Sequence, residues 1–167
     1  GEPDQACSSG YFGIARSVNR GKDWAITPTG CSKSIPFLVS YPINVELIYA
    51  GSTDKNEVWG TVLRSNDGGK SFVTLPLAGQ STHPLQDLLV LPTDPTKLFV
   101  SDEYGIIYSE DSGDTWTRFT SAAIGTAPPS QNLPQAPFAL AADGAGVIYA
   151  VDKFPSNRGV TTYRSYD

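Results

Sequence analysis

Short apolar stretches separated by turn-forming residues run along the whole chain, and none of them follows helical spacing. No stretch repeats apolar positions at i, i+3, i+4 and i+7, and no apolar run is long enough to span a membrane. Short apolar runs bounded by Gly, Pro, Asn and Asp are typical of β-strands joined by tight turns. The pattern therefore predicts an all-β protein without a membrane segment.

One motif recurs along the chain and sets its period. Residues 17–24 are followed 48 residues later by residues 65–72, and residues 109–116 follow after another 44. Residues 165–167 begin the same motif 56 residues further on. The shared pattern is S-x-[DN]-x-G-x-x-[WF], and its spacing is close to the roughly 40–50 residues of a four-stranded propeller blade.

Each residue type in the motif suits a tight turn. Ser, Asp and Asn side chains form hydrogen bonds with nearby backbone amides, and Gly accepts a positive φ. The aromatic residue begins the next strand and can pack beneath the turn. We therefore expect structural roles for Ser17, Asn19, Gly21, Trp24, Ser65, Asp67, Gly69, Phe72, Ser109, Asp111, Gly113 and Trp116.

The strands predicted around each motif follow one order: two paired strands, a third that enters the motif and a fourth that leaves it. The paired strands are 37–41 with 46–50, 85–91 with 97–101, and 138–141 with 147–151. The third strands are 11–16, 59–64, 105–108 and 159–164, and the fourth are 24–27, 72–76 and 116–119. This order divides the chain into a partial blade (1–30), two blades (31–77 and 78–121) and a blade truncated in its motif (122–167).

Through this repeat the chain resembles the Asp-box (BNR repeat) β-propeller superfamily. That superfamily includes sialidases, xyloglucan-degrading glycoside hydrolases and sortilin-type receptor propellers, and residues 60–76 are similar to the last two groups. The resemblance implies a β-propeller of four-stranded blades, with about three and a half blades in this chain. It also implies that the motif turns lie on the outer rim, away from the ligand face. The F/Y-R-[IL]-P motif of sialidases does not occur here.

The predicted blades do not complete a ring, since propellers typically close with about four to eight blades. An open stack would expose sheet faces and edges that repeat proteins normally cover. We therefore expect the remaining blades as partners, supplied by the same protein, a second chain or symmetry mates. The chain contains no Met, so Gly1 is expected not to be a translation start.

The charge and the cysteine content indicate which partners the protein can bind and whether it is secreted. The net charge is −5 at pH 7, and the 12 basic residues are scattered, which excludes a nucleic-acid surface. Cys7 and Cys31 lie at equal distances before and after Asn19, so a hairpin centred there would bring them face to face. This symmetry favours a disulfide and a secreted or extracellular protein; two buried free thiols are the alternative.

Candidate functional residues lie in the loops that the resemblance places on the ligand face. These loops combine acids with aromatic side chains, as glycan sites do. The candidate catalytic carboxylates are Asp54, Glu57, Asp102 and Glu103, and the candidate ligand-binding residues are Trp59, Tyr104, Lys153 and Phe154. Short polar loops also favour acids for their turns alone, and this remains the competing interpretation for each acid.

Two functions are consistent with these loops. The first is glycan binding or glycoside hydrolysis by paired carboxylates. The second is a non-catalytic, sortilin-type receptor that binds protein or peptide, to which the uncharged, Pro-rich segment 121–137 is suited. His83 is the only histidine and is interpreted as a loop residue, which excludes a His-clustered zinc site. No metal and no cofactor are expected.

Overall fold

The computed structural model describes residues 12–30, 33–54, 60–77, 81, 83–119, 138–152 and 162–164, and the regular structure in these residues is all β. The strands are β1 (Phe12–Arg16), β2 (Ala25–Gly30), β3 (Lys33–Ser40), β4 (Ile48–Asp54), β5 (Gly60–Ser65), β6 (Val73–Pro76), β7 (Asp87–Val90), β8 (Leu98–Asp102), β9 (Gly105–Ser109), β10 (Thr117–Arg118), β11 (Phe138–Ala142), β12 (Ile148–Asp152) and β13 (Thr162–Arg164).

Consecutive strands pair antiparallel into four sheets. The first sheet contains β1 and β2, the second β3 to β6, the third β7 to β10 and the fourth β11 to β13. Within each sheet the strands are ordered as in the chain, so each sheet is a simple meander. The second and third sheets have the four strands predicted for a blade, and the all-β class is confirmed for the described residues.

Several predicted strand bounds shift by a few residues, and the pair predicted at 37–41 and 46–50 is extended because backbone pairing continues past residues 37 and 50. The strand predicted to begin at residue 37 begins at Lys33, which pairs with Asp54. The register shifts between Ser34 and Phe37, around Pro36, which has no amide hydrogen to contribute to the ladder. The sheet thus continues beyond an irregularity that apolar patterning marks as an end.

Apolar side chains fill the space between consecutive sheets. Ile14 of the first sheet clusters with Ala50 and Leu63 of the second. Further clusters join the second to the third sheet and the third to the fourth: one contains Val62 and Val100, and the other contains Phe99 and Ala150. The first strands β3, β7 and β11 also contact one another in sequence, so the sheets converge at this edge. This arrangement is consistent with part of a propeller.

The three complete repeat motifs form turns with the same hydrogen bonds, which we call the repeat turns. In the third, the Ser109 hydroxyl donates to Asp111 Oδ1 (2.7 Å) and accepts from the Gly113 amide (2.8 Å). Ser65 makes the equivalent bonds at 2.7 and 2.8 Å, and Ser17 accepts from the Gly21 amide at 2.8 Å. Gly21, Gly69 and Gly113 have φ values of 81°, 84° and 93°, as expected from the motif.

The acids of the repeat turns are held as hydrogen-bond acceptors. The Thr115 hydroxyl and amide donate to Asp111 at 2.5 and 2.8 Å, and these bonds, with that of Ser109, lower the pKa of Asp111 to about 2. Equivalent donors from Ser71 and Ser65 hold the pKa of Asp67 well below its usual range. Both carboxylates accept hydrogen bonds from residues of their own turns, which favours the structural role predicted for them.

The arginine that precedes a repeat turn reaches the next turn along the chain. Arg64 donates from Nη1 to the Ser112 carbonyl (2.9 Å) and lies 3.6 Å from Asp114. Arg16 lies against the second turn, where a Cβ on Gly68 would stand 3.7 Å from its Nη2. The repeat turns therefore help to join consecutive sheets as well as to reverse the chain.

We predict that Ser109→Ala lowers the free energy of unfolding by about 1–3 kcal/mol, because the buried turn loses the hydroxyl that bonds both Gly113 and Asp111. Urea unfolding measures the change. Ser17→Ala is the matched control: it removes the same bonds from a turn that is largely exposed, so the loss should be smaller. Equal losses would contradict the importance of burial.

Candidate functional site

The turn between β8 and β9 brings three of the candidate residues together. Asp102 is the last residue of β8, and it pairs with Gly105, the first residue of β9. Asp102 Oδ1 accepts a hydrogen bond from the Tyr104 amide (2.8 Å), as Asp does in tight turns. Gly105 has a φ of 128°, which favours glycine. Glu103 and Tyr104 thus occupy the tip of a turn fixed by its two ends.

A buried ion pair supports this turn from below. The Asp102 carboxylate is fully buried and accepts two parallel bonds from Arg118, Nη1 to Oδ1 at 2.9 Å and Nη2 to Oδ2 at 2.6 Å. Ser81 Oγ donates to Oδ2 at 2.7 Å and accepts from the His83 amide at 3.3 Å. Both carboxylate oxygens are therefore engaged by donors, which is what a buried charge requires.

The hydrogen bonds around Asp102 outweigh the effect of its burial on ionisation. Burial alone would raise the pKa of this carboxyl, but the bonds from Arg118, Ser81 and the Tyr104 amide, with the positive charge of Arg118, lower it below its ordinary value. Asp102 is consequently an anion at neutral pH and stays so under mild acid. Its geometry suits a support for the turn.

Glu103 and Tyr104 at the tip of the turn both contact the imidazole of His83, which lies between β6 and β7. Glu103 Oε1 lies 2.5 Å from His83 Nδ1, and the His83 and Tyr104 rings lie 4.2 Å apart at 52°. The side chain of Glu103 is 43% exposed, and Tyr104 is 45% exposed. A ligand could therefore meet an aromatic face and a carboxylate on a single rigid turn. We call His83, Glu103 and Tyr104 the β8–β9 cluster.

Of the other candidate catalytic and ligand-binding residues, the structure describes only Asp54. Asp54 ends β4, the second strand of its sheet, as Asp102 ends the second strand of the next sheet. Because the two sheets have the same strand order, the ends of their second strands lie on the same side of the structure. The loop after Asp54 therefore begins on the side that carries the β8–β9 cluster. Outside the described residues lie Glu57, Trp59, Lys153, Phe154, Cys7, Cys31, Asp167 and segment 121–137.

Three residues of the site carry no role in the sequence interpretation. His83 is interpreted there as a loop residue, and Ser81 and Arg118 have no assigned function. A weak signal exists for Arg118: it lies in a short strand two residues after Trp116, where a charge needs a partner. The partner itself is 16 residues distant in sequence, and no local pattern points to it.

The residues that the structure describes lack two features. Within them, no cluster of three or more His, Cys, Asp or Glu side chains is arranged to hold a metal ion. The same ranges contain no helix with the length and apolar character needed to cross a membrane.

Comparison with known proteins places the fold. The chain is similar in structure to an ancestral GH74 enzyme, with 21% identity and a TM-score of 0.67 over 92% of this chain and 21% of that one. It is similar also to the GH74 xyloglucanase from Xanthomonas campestris, with 17% identity and a TM-score of 0.62 over 93% of this chain and 25% of the enzyme. These likenesses show a shared fold, and the chain spans only about a fifth to a quarter of the length of either enzyme.

Two other comparisons add nothing to this result. A comparison with protein-family models finds no match, and none is found among curated proteins.

We predict that Arg118→Met lowers the free energy of unfolding by about 3–5 kcal/mol, because it leaves the Asp102 charge buried and unpaired. Adding Asp102→Asn should restore part of that loss, since the amide carries no charge and can still accept from Tyr104. Chemical denaturation of the single and double variants measures both. A double variant no more stable than Arg118→Met would contradict the buried ion pair as the support of the turn.

We also predict a pH dependence with a defined sign. The folded-state pKa of Asp102 lies below its unfolded value, so its charge stabilises the fold above that unfolded value, and the contribution is lost as pH falls through the folded pKa. The stability difference between the wild type and Asp102→Asn should therefore shrink below about pH 4. Denaturation curves at a series of pH values test this, and a constant difference down to pH 3 would contradict it.

Proposed function

We propose that this chain is part of an Asp-box β-propeller that binds glycans through the loops on the side of the structure that carries the β8–β9 cluster. The observation that carries the proposal is the contact among Glu103, His83 and Tyr104 at the tip of a supported turn. The fold shared with GH74 enzymes supports the choice of ligand class. The repeated hydrogen bonds of Ser65 and Ser109 support the Asp-box assignment of the turns.

The cluster has the chemistry that a sugar ring requires. Tyr104 offers an exposed aromatic face, on which the apolar face of a pyranose can stack. Glu103 offers carboxylate oxygens that accept bonds from sugar hydroxyls, and His83 holds that side chain in place. The Asp102–Arg118 pair keeps the turn in one conformation, so little ordering is needed on binding.

Hydrolysis would require a second carboxylate at a suitable distance. Paired carboxylates in glycosidases lie roughly 5–10 Å apart, and one of them must be able to give up or take a proton. Asp102 is held by Arg118, so we assign it to support and retain Glu103 as the candidate in this turn. We propose either Asp54 or Glu57 from the neighbouring blade as the second carboxylate, and Trp59 as a further ligand-binding residue.

The remaining parts of the proposal concern the disulfide, the location of the protein, the extent of the ligand surface and the missing blades. A disulfide between Cys7 and Cys31 would close the hairpin around the first repeat turn, and it would accompany a secreted or extracellular protein. Lys153 and Phe154 would extend the ligand surface onto the following blade, because Asp152 ends β12 as Asp102 ends β8. Sheets missing from this chain would complete the ring.

We predict that Tyr104→Ala weakens binding of a xyloglucan-derived oligosaccharide about tenfold, equivalent to about 1.4 kcal/mol, while Tyr104→Phe retains most of the affinity because it keeps the ring. Isothermal titration calorimetry on the purified protein measures both, with circular dichroism to verify folding. Glu103→Gln should also weaken binding, because the amide replaces an acceptor oxygen with a donor.

Glu110→Gln is the matched control for Glu103→Gln. It removes an exposed charge at the opposite end of β9, where Glu110 lies 3.9 Å from Lys97 and outside the cluster. Its affinity should equal that of the wild type. Binding of the oligosaccharide that is unchanged in Tyr104→Ala would overturn the site. Absence of any glycan binding, together with capture of a peptide ligand through the same turn, would favour the sortilin-type receptor instead.

A further inference from the structure

The two nitrogens of the His83 imidazole have different surroundings. Nδ1 lies 2.5 Å from Glu103 Oε1, which is hydrogen-bond distance. In the described part of the chain, Nε2 has no hydrogen-bond partner, and it is not buried. The side chain as a whole is 25% exposed. One ring nitrogen is therefore held by the protein, while the other reaches solvent beside the ring of Tyr104.

Contacts to the backbone and to the ring fix the orientation of this imidazole. Ser81 Oγ accepts from the His83 amide at 3.3 Å and donates to the buried Asp102 carboxylate at 2.7 Å. The Tyr104 ring lies 4.2 Å from the imidazole at an angle of 52°. Glu103 and Tyr104 are consecutive residues of one supported turn, so rotation of the imidazole would break its contacts with both. The orientation of the unpartnered nitrogen is thus set by the same turn that presents Tyr104.

The contact with Glu103 determines which nitrogen of the neutral imidazole carries the proton. An ionised carboxylate accepts hydrogen bonds and donates none, so a hydrogen bond from Nδ1 requires a proton on Nδ1. The neutral ring has a single N–H group, so Nε2 is then the unprotonated nitrogen. A hydrogen bond at one ring nitrogen fixes the role of the other in this way. His83 Nε2 is consequently an acceptor when the ring is neutral.

We propose that Glu103 is a positioning residue that holds His83 as the Nδ1–H tautomer, and that His83 Nε2 accepts a hydrogen bond from a hydroxyl group of the bound sugar. The second part rests on the proposed glycan function and adds a ligand contact to it. A sugar stacked on Tyr104 then meets two acceptors, Glu103 Oε2 and His83 Nε2, so the site selects a ligand that donates from hydroxyl groups. A methyl ether in place of such a hydroxyl would leave an acceptor unpaired.

Nuclear magnetic resonance of the protein as purified reads the tautomer directly. His83 is the only histidine of this chain, and imidazole signals that disappear in His83→Asn belong to it. In a long-range ¹H–¹⁵N correlation spectrum, Nε2 is the nitrogen that couples strongly to both carbon-bound ring protons. At the alkaline plateau of a pH series, we expect Nε2 to have the chemical shift of an unprotonated nitrogen and Nδ1 that of a protonated one. A protonated Nε2 would overturn the proposal.

Substitution of two glutamates tests whether Glu103 sets the tautomer. Glu103→Ala should increase the share of the Nε2–H form, because the acceptor for Nδ1–H is then missing. Glu110→Ala is the matched control, since Glu110 is exposed and lies near Lys97, outside the cluster. Its imidazole spectrum should equal that of the wild type. A tautomer that is unchanged in Glu103→Ala would contradict the positioning role of Glu103.

Replacement of His83 by asparagine separates the ligand contact from the support of Glu103. The asparagine amide can still donate to Glu103 from about the position of Nδ1, but it has no group at the position of Nε2. We expect His83→Asn to weaken binding of a xyloglucan-derived oligosaccharide about fivefold, as for one lost hydrogen bond. Isothermal titration calorimetry measures this, with circular dichroism to verify folding. An unchanged affinity would overturn the contact between Nε2 and the sugar.

Two further outcomes separate the glycan function from the role of His83. A wild-type protein that binds no glycan yet shows the Nδ1–H tautomer would contradict the proposed function and the sugar contact, and it would support Glu103 as the residue that positions His83. A wild-type protein that binds glycan but shows the Nε2–H tautomer would support the proposed function and overturn the roles assigned to Glu103 and His83 here.

Discussion

The hydroxyl of the serine that opens each repeat turn is the contact on which the rest of the structure depends. In the second and third turns this hydroxyl is buried and bonds both the glycine amide and the aspartate carboxylate of its own turn. Those bonds fix the reversal between the third and fourth strands of a sheet. Because the reversal is fixed, the closing aromatic residue faces the preceding sheet, and that sheet's arginine meets the turn. One local hydrogen-bonded hub therefore organises both the sheet and the contact between sheets.

The candidate site depends on a different kind of interaction. Asp102 and Arg118 form a buried, two-bond ion pair between β8 and β10, and Ser81 joins the loop that carries His83 to the same carboxylate. An ion pair of this kind gives little net stability by itself, but it makes alternative conformations of the turn costly. Glu103 and Tyr104 are consequently presented on a rigid turn, which is the property that a binding site on a propeller loop needs.

The sheets differ in how many of their faces pack against a neighbouring sheet. The second and third sheets pack against neighbouring sheets on both faces, and their central strands are largely buried; in β8 every residue is buried. Among the residues that the structure describes, the second sheet alone packs against the first sheet, and it covers one face. On the other face of the first sheet, Trp24 and Ile26 are exposed.

The sequence alone determined the strands, the turns and the period, because each of these rests on residues close together in the chain. A serine, an aspartate and a glycine within five positions contain all that a repeat turn needs, and alternating or continuous apolar residues mark the strands between turns. The boundary near Pro36 was missed because pairing resumed beyond an irregularity. Glu103 and Tyr104 were found as candidates because their composition suits a ligand loop.

Only the tertiary structure decided what those residues do. Asp102 and Glu103 are adjacent acids, yet one is buried on Arg118 and the other is half-exposed on His83, and neither partner is near in sequence. Trp24 and Trp116 occupy the same position of one motif, and a neighbouring sheet buries only the second of them. Burial and charge pairing depend on residues that are distant in sequence and pack against the segment. A local sequence pattern therefore does not predict them.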